Sequence, residues 1–192
     1  MNATSDGSNS ISDELVTLIG YRGCGKTVVG RQLAQRLGWS FIDTDQTIEE
    51  QAGRTIREIF ETDGEMAFRR MEADLLDDAL AHQRCVISAG GGAVLARRNR
   101  KAIRSNGVCV WLTAPAEELQ RRIEADTRSA AQRPELTNRS GLQEVEAVLQ
   151  ARLPVYEATA EHVVSTAGRS IEQVVDAVLE TLGVTTRTTE GS

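Results

Sequence analysis

Gly20-Tyr21-Arg22-Gly23-Cys24-Gly25-Lys26-Thr27 is the stretch that decides the fold of this 192-residue chain. It matches the pattern G-x-x-x-x-G-K-[ST] at every fixed position. Glycines in such a loop let the backbone wrap around a polyphosphate so that successive N–H groups point inward. The pattern therefore predicts a phosphate-binding loop, or P-loop. In it Lys26 contacts the β- and γ-phosphates, Thr27 binds the accompanying Mg²⁺, and a helix beginning at Lys26 directs its positive end at the anion.

The residues on either side of the loop supply the context that the motif requires. Leu15 to Ile19 form a short β-rich run that suits a strand buried on both faces. After the loop, Val29, Leu33 and Leu37 recur at helical spacing until Gly38 ends the pattern. This strand–loop–helix order favours the P-loop over the alternative, a glycine-rich turn with an incidental lysine.

Composition places the chain among soluble globular proteins. It is 40% hydrophobic and 26% charged, and no apolar run approaches the ~18 residues of a membrane span. The net charge of −6 argues against a nucleic-acid partner. Three widely spaced cysteines favour neither a disulfide framework nor a zinc site, and they suit the cytoplasm. We expect a monomeric single domain over residues 13–183, with disordered tails at 1–12 and 184–192 and no membrane partner.

Two aspartates follow the second predicted strand, Trp39 to Ile42, in the sequence Asp43-Thr44-Asp45. In an open parallel sheet the ligand crevice lies beyond the carboxyl ends of the strands, so these side chains are expected beside the P-loop. One carboxylate can serve the magnesium shell while the other meets an acceptor hydroxyl. The alternative is a polar turn in which Asp45 caps the helix that follows.

A long helix is predicted from Gly64 to about Ala81. Arg69 or Arg70 on it could bind a substrate carboxylate, although a helix arginine is more often a solvated charge. The apolar positions predict a stripe that faces the core, made of Met66, Met71, Leu75, Leu76 and Ala79.

Three consecutive glycines, Gly90 to Gly92, follow the third strand, Cys85 to Ser88. Glycine runs are costly in folding entropy, and their use here is expected to be the approach of a ligand to the backbone. Further along, the polar segment from Asp126 to Ser140 holds Arg133-Pro134 and is predicted to be a mobile lid rather than a disordered linker.

Strands and helices alternate along the whole chain. Five strands separated by helices predict an α/β fold with a five-stranded parallel sheet and helices on both faces, a three-layer α/β/α arrangement.

The motifs together resemble those of shikimate kinases, in the P-loop nucleoside-monophosphate-kinase-like group. The resemblance covers roughly residues 14–182. It rests on Gly20 to Thr27, Phe41 to Gln46 with Ile48-Glu49, Gly64-Glu65 with Phe68-Arg69 and Glu72, Gly90 to Val94, Arg133-Pro134, and Arg152 with Pro154 and Tyr156.

The resemblance implies transfer of the ATP γ-phosphoryl group to the 3-hydroxyl of shikimate, with Mg²⁺. It implies ATP contacts from Gly23, Cys24, Gly25, Lys26, Thr27, Val28, Arg122, Arg133 and Arg169. Shikimate is expected at Asp45, Arg69, Gly90, Gly91, Gly92 and Arg152, and Mg²⁺ at Thr27 and Asp43. The catalytic residues implied are Lys26, Asp45 and Arg133.

Two other functions are weighed against this one. A related small-metabolite kinase, such as one that phosphorylates gluconate, is disfavoured by Asp43-Thr44-Asp45 and by Phe68-Arg69. A nucleotide-binding protein without catalysis is expected to have lost Lys26, Asp43 or Asp45, and this chain retains all three.

Overall fold

The structure, a computed structural model, describes residues 15–126 and 141–184. The expected tail at 1–12 lies outside these ranges, as does the tail at 184–192 apart from Val184. The predicted lid lies outside them too, apart from Asp126, and with it Arg133.

The described residues form one parallel sheet with helices between the strands, which confirms the predicted α/β fold. The strands are β1 (Leu15–Ile19), β2 (Ser40–Asp43), β3 (Cys85–Ser88), β4 (Val108–Thr113) and β5 (His162–Ser165). The helices are α1 (Lys26–Leu37), α2 (Thr44–Ala52), α3 (Ile56–Thr62), α4 (Glu65–Leu80), α5 (Arg97–Ser105), α6 (Ala116–Ala125), α7 (Leu142–Thr159) and α8 (Ile171–Thr181), and a 3₁₀ turn covers Ala93–Leu95.

Strand β1 is the centre of the sheet, whose order is β2-β3-β1-β4-β5. All five of its residues are buried, as the apolar sequence predicts for a strand covered on both faces. Val16 and Leu18 pack on one face with residues of α1 and α8. Leu15 and Ile19 pack on the opposite face with residues of α4 and α5. The two cores therefore hold the sheet between two layers of helices.

Sheet register brings the functional segments to one edge. Asp43 at the end of β2 is paired with Ser88 at the end of β3, and Ser88 is paired with Leu18 of β1. From β1 the chain crosses to one side to form β2, whereas from β3 it crosses back past β1 to form β4. Such a reversal opens a crevice at the carboxyl ends of the strands, and the P-loop begins there.

The predicted inward stripe of α4 is wrong at its N-terminal end. Met66 is 78% exposed and Met71 37% exposed, whereas Leu75, Leu76 and Ala79 are buried as expected. Phe68 and Glu72 are buried in the first half of the helix instead. A buried glutamate is invisible to an apolar pattern, and Phe68 packs on Phe60 of α3 in a small separate core.

Gly107 lets β4 pair closely with β1. Its φ is +90°, and a Cβ atom on it would lie 2.3 Å from the backbone oxygen of Leu15. Both the left-handed conformation and the contact with a backbone atom exclude a side chain here without movement of the strand.

Replacing Gly107 with alanine is expected to lower the free energy of unfolding by about 3 kcal/mol or more, because the clash adds to the backbone strain. The matched control is Gly38→Ala, where φ is +67° but no atom lies within 4 Å of the added Cβ. The control is expected to cost about 1–2 kcal/mol. Urea unfolding of both variants measures the difference, and equal losses would contradict the close approach.

Candidate active site

A cleft of about 1100 Å³ opens at the carboxyl edge of the sheet. It brings together many of the predicted nucleotide, metal and acceptor residues. Those that line it are Gly23, Cys24, Gly25, Lys26, Thr27, Val28, Asp43, Asp45, Gly91, Arg122 and Arg169. Sequence reasoning had placed these residues in five separate segments, and the sheet topology makes them neighbours.

The Lys26 side chain folds back across the P-loop. Its ammonium donates hydrogen bonds to the backbone oxygens of Gly20 at 2.9 Å and Tyr21 at 3.1 Å. The residue is 8% exposed, so the positive charge is held inside the loop. Neutral carbonyl acceptors hold an ammonium more weakly than an anion does, so a phosphate can replace them.

Thr27 and Asp43, which both line the cleft, are in direct contact. The Thr27 hydroxyl donates to Asp43 Oδ2 at 2.6 Å. The other oxygen, Oδ1, accepts from the backbone N–H groups of Asp45 at 3.1 Å and Gln46 at 3.2 Å. Asp43 is therefore the N-cap of α2, and the alternative that gave this role to Asp45 is wrong. Asp45 lies within the first turn of α2, where its side chain can face the cleft.

Gly90 lies against two carboxylates. A Cβ atom on Gly90 would lie 2.7 Å from Asp45 Oδ1 and 2.8 Å from Glu72 Oε1. The Gly90 N–H donates to the Thr44 hydroxyl at 2.9 Å, so the glycine segment is tied to the start of α2. The absence of a side chain at Gly90 thus lets the Asp45 and Glu72 carboxylates lie close to the backbone.

Arg69 lies against Gly92. A Cβ atom on Gly92 would lie 2.6 Å from Arg69 Nη1, and Nη1 donates to the buried Glu72 carboxylate at 2.8 Å. Burial by itself lowers the pKa of Arg69, but Glu72 and Glu65 raise it above its ordinary value, so the guanidinium stays charged. Arg70, the next residue of α4, is exposed. Of the two candidates, the structure therefore brings Arg69 to the glycine segment.

Two side chains of α7 hold the carbonyl of Gly91. Arg152 Nη1 donates to it at 2.9 Å and the Tyr156 hydroxyl at 3.0 Å. Burial raises the pKa of Tyr156 to about 12, and the ring stacks on Trp111 with centroids 5.4 Å apart. Sequence reasoning assigned no role to Tyr156 or to Thr44. Both hold the glycine segment through contacts with backbone atoms, which the motifs that contain these residues do not specify.

Arg122 fastens the P-loop to the segment after β5. It donates to the Gly23 oxygen at 3.4 Å and to the hydroxyl and carbonyl of Thr166, each at 2.9 Å. Two exposed apolar side chains also line the cleft, Val28 at 49% exposure and Ile171 at 46%. A flat apolar base fits between such groups. The sequence had identified Val28 but not Thr166 or Ile171.

The comparisons with known proteins agree on one family. The family model for shikimate kinase matches residues 22–183. The shikimate kinase of Symbiobacterium thermophilum is 42% identical over 167 residues, which cover 87% of this chain and 95% of the relative.

Solved structures agree in fold. A shikimate kinase from Acinetobacter baumannii, solved in complex with shikimate, superposes with a TM-score of 0.81 at 33% identity, covering 88% of this chain and 92% of the other. A gluconokinase from Sinorhizobium meliloti 1021 reaches a TM-score of 0.53 at 17% identity, covering 88% and 90%. At that identity the likeness shows a shared fold alone, so the gluconate alternative gains no support from it.

The Tyr156→Phe variant tests the hydrogen bond from the Tyr156 hydroxyl to the carbonyl of Gly91. Loss of the buried hydrogen bond is expected to lower the free energy of unfolding by about 1 kcal/mol near neutral pH. In the wild type, burial raises the pKa of Tyr156 from 10.0 to about 12, so the folded state retains this proton to a higher pH than the unfolded state does. Its contribution is therefore complete below about pH 10 and is lost as the pH rises through about 12.

Because the phenylalanine variant has no such proton, its deficit relative to the wild type is expected to shrink as the pH rises. Urea unfolding of both proteins at about pH 7, 9 and 11 measures this trend. The other buried tyrosine, Tyr21, whose pKa burial also raises, is present in both proteins. A deficit that stays constant up to about pH 11 would contradict the assignment.

Proposed function

The chain belongs to the shikimate kinase family, and from this premise we propose how its own residues transfer the γ-phosphoryl group of ATP to the 3-hydroxyl of shikimate. The chain is an ATP-dependent kinase by family. One observation carries the assignment of the site. A single cleft places the P-loop with Thr27 and Asp43 beside Asp45 and Gly91, so a donor phosphate and an acceptor hydroxyl can meet.

Lys26 is proposed to bind the β- and γ-phosphates. Its ammonium is already within the loop, held by two carbonyl oxygens that an incoming phosphate can replace. Backbone N–H groups from Gly23 to Thr27 and the N-terminus of α1 supply further positive potential. Positive groups placed before the reaction stabilise the charge that shifts onto the phosphate oxygens in the transition state.

Mg²⁺ is proposed to bind at Thr27 and Asp43. A hydroxyl and a carboxylate oxygen 2.6 Å apart are the hard oxygen ligands that this ion prefers. Within residues 15–126 and 141–184, no group of three His, Cys, Asp or Glu side chains could form a cage of its own. This fits an ion that is held by one or two protein groups together with phosphates and water, where it neutralises phosphate charge.

Shikimate is proposed to lie between Asp45 and the arginines. Arg69, held by Glu72, and Arg152, held at Gly91, present guanidinium groups to the carboxylate of the substrate. Asp45, which lies beside Gly90, is proposed to bind the acceptor hydroxyl and to accept its proton. Gly90, Gly91 and Gly92 are proposed to form the wall between them, and a Cβ atom on Gly90 or Gly92 would meet Asp45 or Arg69.

The adenine ring is proposed to lie at the far end of the cleft. Arg122 and Arg169 flank that end, and the exposed Val28 and Ile171 side chains offer it apolar contact. Arg133 lies outside the described residues, and its proposed role at the transferring phosphate rests on the sequence motif.

The cellular location, the oligomeric state and the domain extent of the enzyme are also proposals. Among the described helices, none is both long enough and apolar enough to cross a bilayer. With the buried free thiols of Cys24, Cys85 and Cys109, this supports the cytoplasm as its location. We propose a monomer with one catalytic domain over residues 13–183, an extent supported by the family match to residues 22–183.

An acceptor panel tests the function. ADP release from ATP with Mg²⁺ is expected with shikimate, and only at background rates with gluconate, nucleoside monophosphates or no acceptor. Lys26→Ala is expected to lower kcat with shikimate at least ~10²-fold, because it removes a preorganised charge from the phosphates. Activity with gluconate and not shikimate, or near-normal turnover by a folded Lys26→Ala variant, would contradict the proposal.

Arg69→Lys tests the acceptor pocket. A lysine keeps the charge but loses the planar fork, so KM for shikimate is expected to rise about tenfold or more while KM for ATP changes little. Arg70→Lys, at the exposed neighbour on the same helix, is the matched control and should leave both constants unchanged. If KM for ATP changed more than KM for shikimate, the assignment of Arg69 to the acceptor pocket would be wrong.

A further inference from the structure

Arg22 connects the P-loop with helix α7. Its Nη2 atom lies 3.6 Å from Glu144 Oε1, and the two side chains are 20% and 4% exposed. A carboxylate buried this deeply is costly unless a positive group stays close to it. The pair therefore restrains Arg22, which lines the same cleft as Lys26, and ties it to α7.

Tyr21 joins this ion pair to the acceptor side. The Cζ atoms of Arg22 and Arg152 each lie 5.8 Å from the centroid of the Tyr21 ring, within the range of cation–π contacts. The ring is 1% exposed, and the Tyr21 backbone oxygen accepts from the ammonium of Lys26. One buried residue thus contacts a phosphate-binding group and an acceptor-binding group.

Helix α7 carries both Glu144 and Arg152 and so joins the two ends of this set of contacts. Glu144 and Arg152 stand about two turns apart on this helix, on the same side of it. Arg152 in turn donates to the carbonyl of Gly91 in the acceptor wall. The contacts Glu144–Arg22–Tyr21–Arg152–Gly91 therefore form a continuous set that runs from the P-loop to the acceptor pocket.

We propose that Arg22 and Glu144 are positioning residues that couple nucleotide binding at the P-loop to acceptor binding by Arg152. This inference rests on the proposed function of the cleft. A polyphosphate in the P-loop attracts the Arg22 guanidinium, which borders the cleft and is partly exposed. The ion pair joins Arg22 to Glu144 of α7, so the attraction on Arg22 is transmitted to this helix.

The physical consequence is a reciprocal change in affinity. Bound nucleotide fixes the positions of Arg22, Tyr21 and α7 relative to one another. Arg152 is then already oriented when shikimate binds, so the affinity for shikimate is higher. By linkage, shikimate must strengthen nucleotide binding by the same factor. Neither Arg22 nor Glu144 needs to touch a reacting atom for this effect.

The experiment measures the dissociation constant of shikimate by titration calorimetry, with and without saturating ADP and Mg²⁺. In the wild type, nucleotide is expected to tighten shikimate binding about fivefold or more. In Arg22→Gln and in Glu144→Gln the factor is expected to fall below about twofold, while Arg22→Lys, which keeps the charge, retains part of it. Thermal unfolding records the stability of each variant, so that a loss of coupling is separated from a loss of fold.

Asp176→Asn is the matched control. It removes a more exposed ion pair, Arg36–Asp176, which joins the P-loop helix α1 to α8 instead of α7, and it should leave the factor unchanged. If Glu144→Gln fails to fold, Arg22→Gln decides the question, because Arg22 is less buried. A wild type without coupling, or equal factors in the wild type and Arg22→Gln, would overturn the link. A wild type that neither binds nor phosphorylates shikimate would overturn the proposed function, and the link with it.

Discussion

The parallel pairing of β1 with β3 on one side and β4 on the other is the constraint on which the site depends. In this position β1 is covered on both faces, so its residues must be mostly apolar. The chain connections from β1 and β3 run in opposite directions along the sheet, so a crevice forms at the carboxyl end of β1. The P-loop follows that end directly. Because β2 pairs with β3 in register, Asp43 ends level with Ser88 and can reach Thr27 on the first turn of α1.

The positive groups proposed to bind the substrates are held in two different ways. Lys26 and Arg152 donate to backbone carbonyls, which are neutral and which an anionic ligand can replace at modest cost. Arg69 is held by the buried Glu72 carboxylate, which keeps one side of its guanidinium occupied and its direction defined. The first arrangement suits groups that change partners when substrates bind. The second suits a group whose orientation must exist beforehand, as preorganised sites require.

The proposed acceptor pocket combines a carboxylate with guanidinium groups across a wall of glycines. Asp45 beside Gly90 suits a hydroxyl, and Arg69 beside Gly92 suits an anion, so the wall fits a molecule that carries both. A neutral sugar would leave the guanidinium without a new partner. This contrast separates an anionic polyol from simpler alcohols as the acceptor, and it depends on side chains that lie far apart in the chain.

The sequence by itself determined the P-loop and the alternation of strands and helices, because each depends on local chemistry, and its resemblance to shikimate kinases implied many residues of the cleft. Glycines permit the loop, buried strands need apolar runs, and Asp43 and Asp45 follow a strand end. Only the tertiary structure decided the strand order, the N-cap role of Asp43, and the burial of Glu72 in place of Met66 and Met71. It also decided that Tyr156, Thr44 and Glu144 support the site. These three act on backbone atoms or on a charge from another element, and such contacts exist only after distant segments pack together.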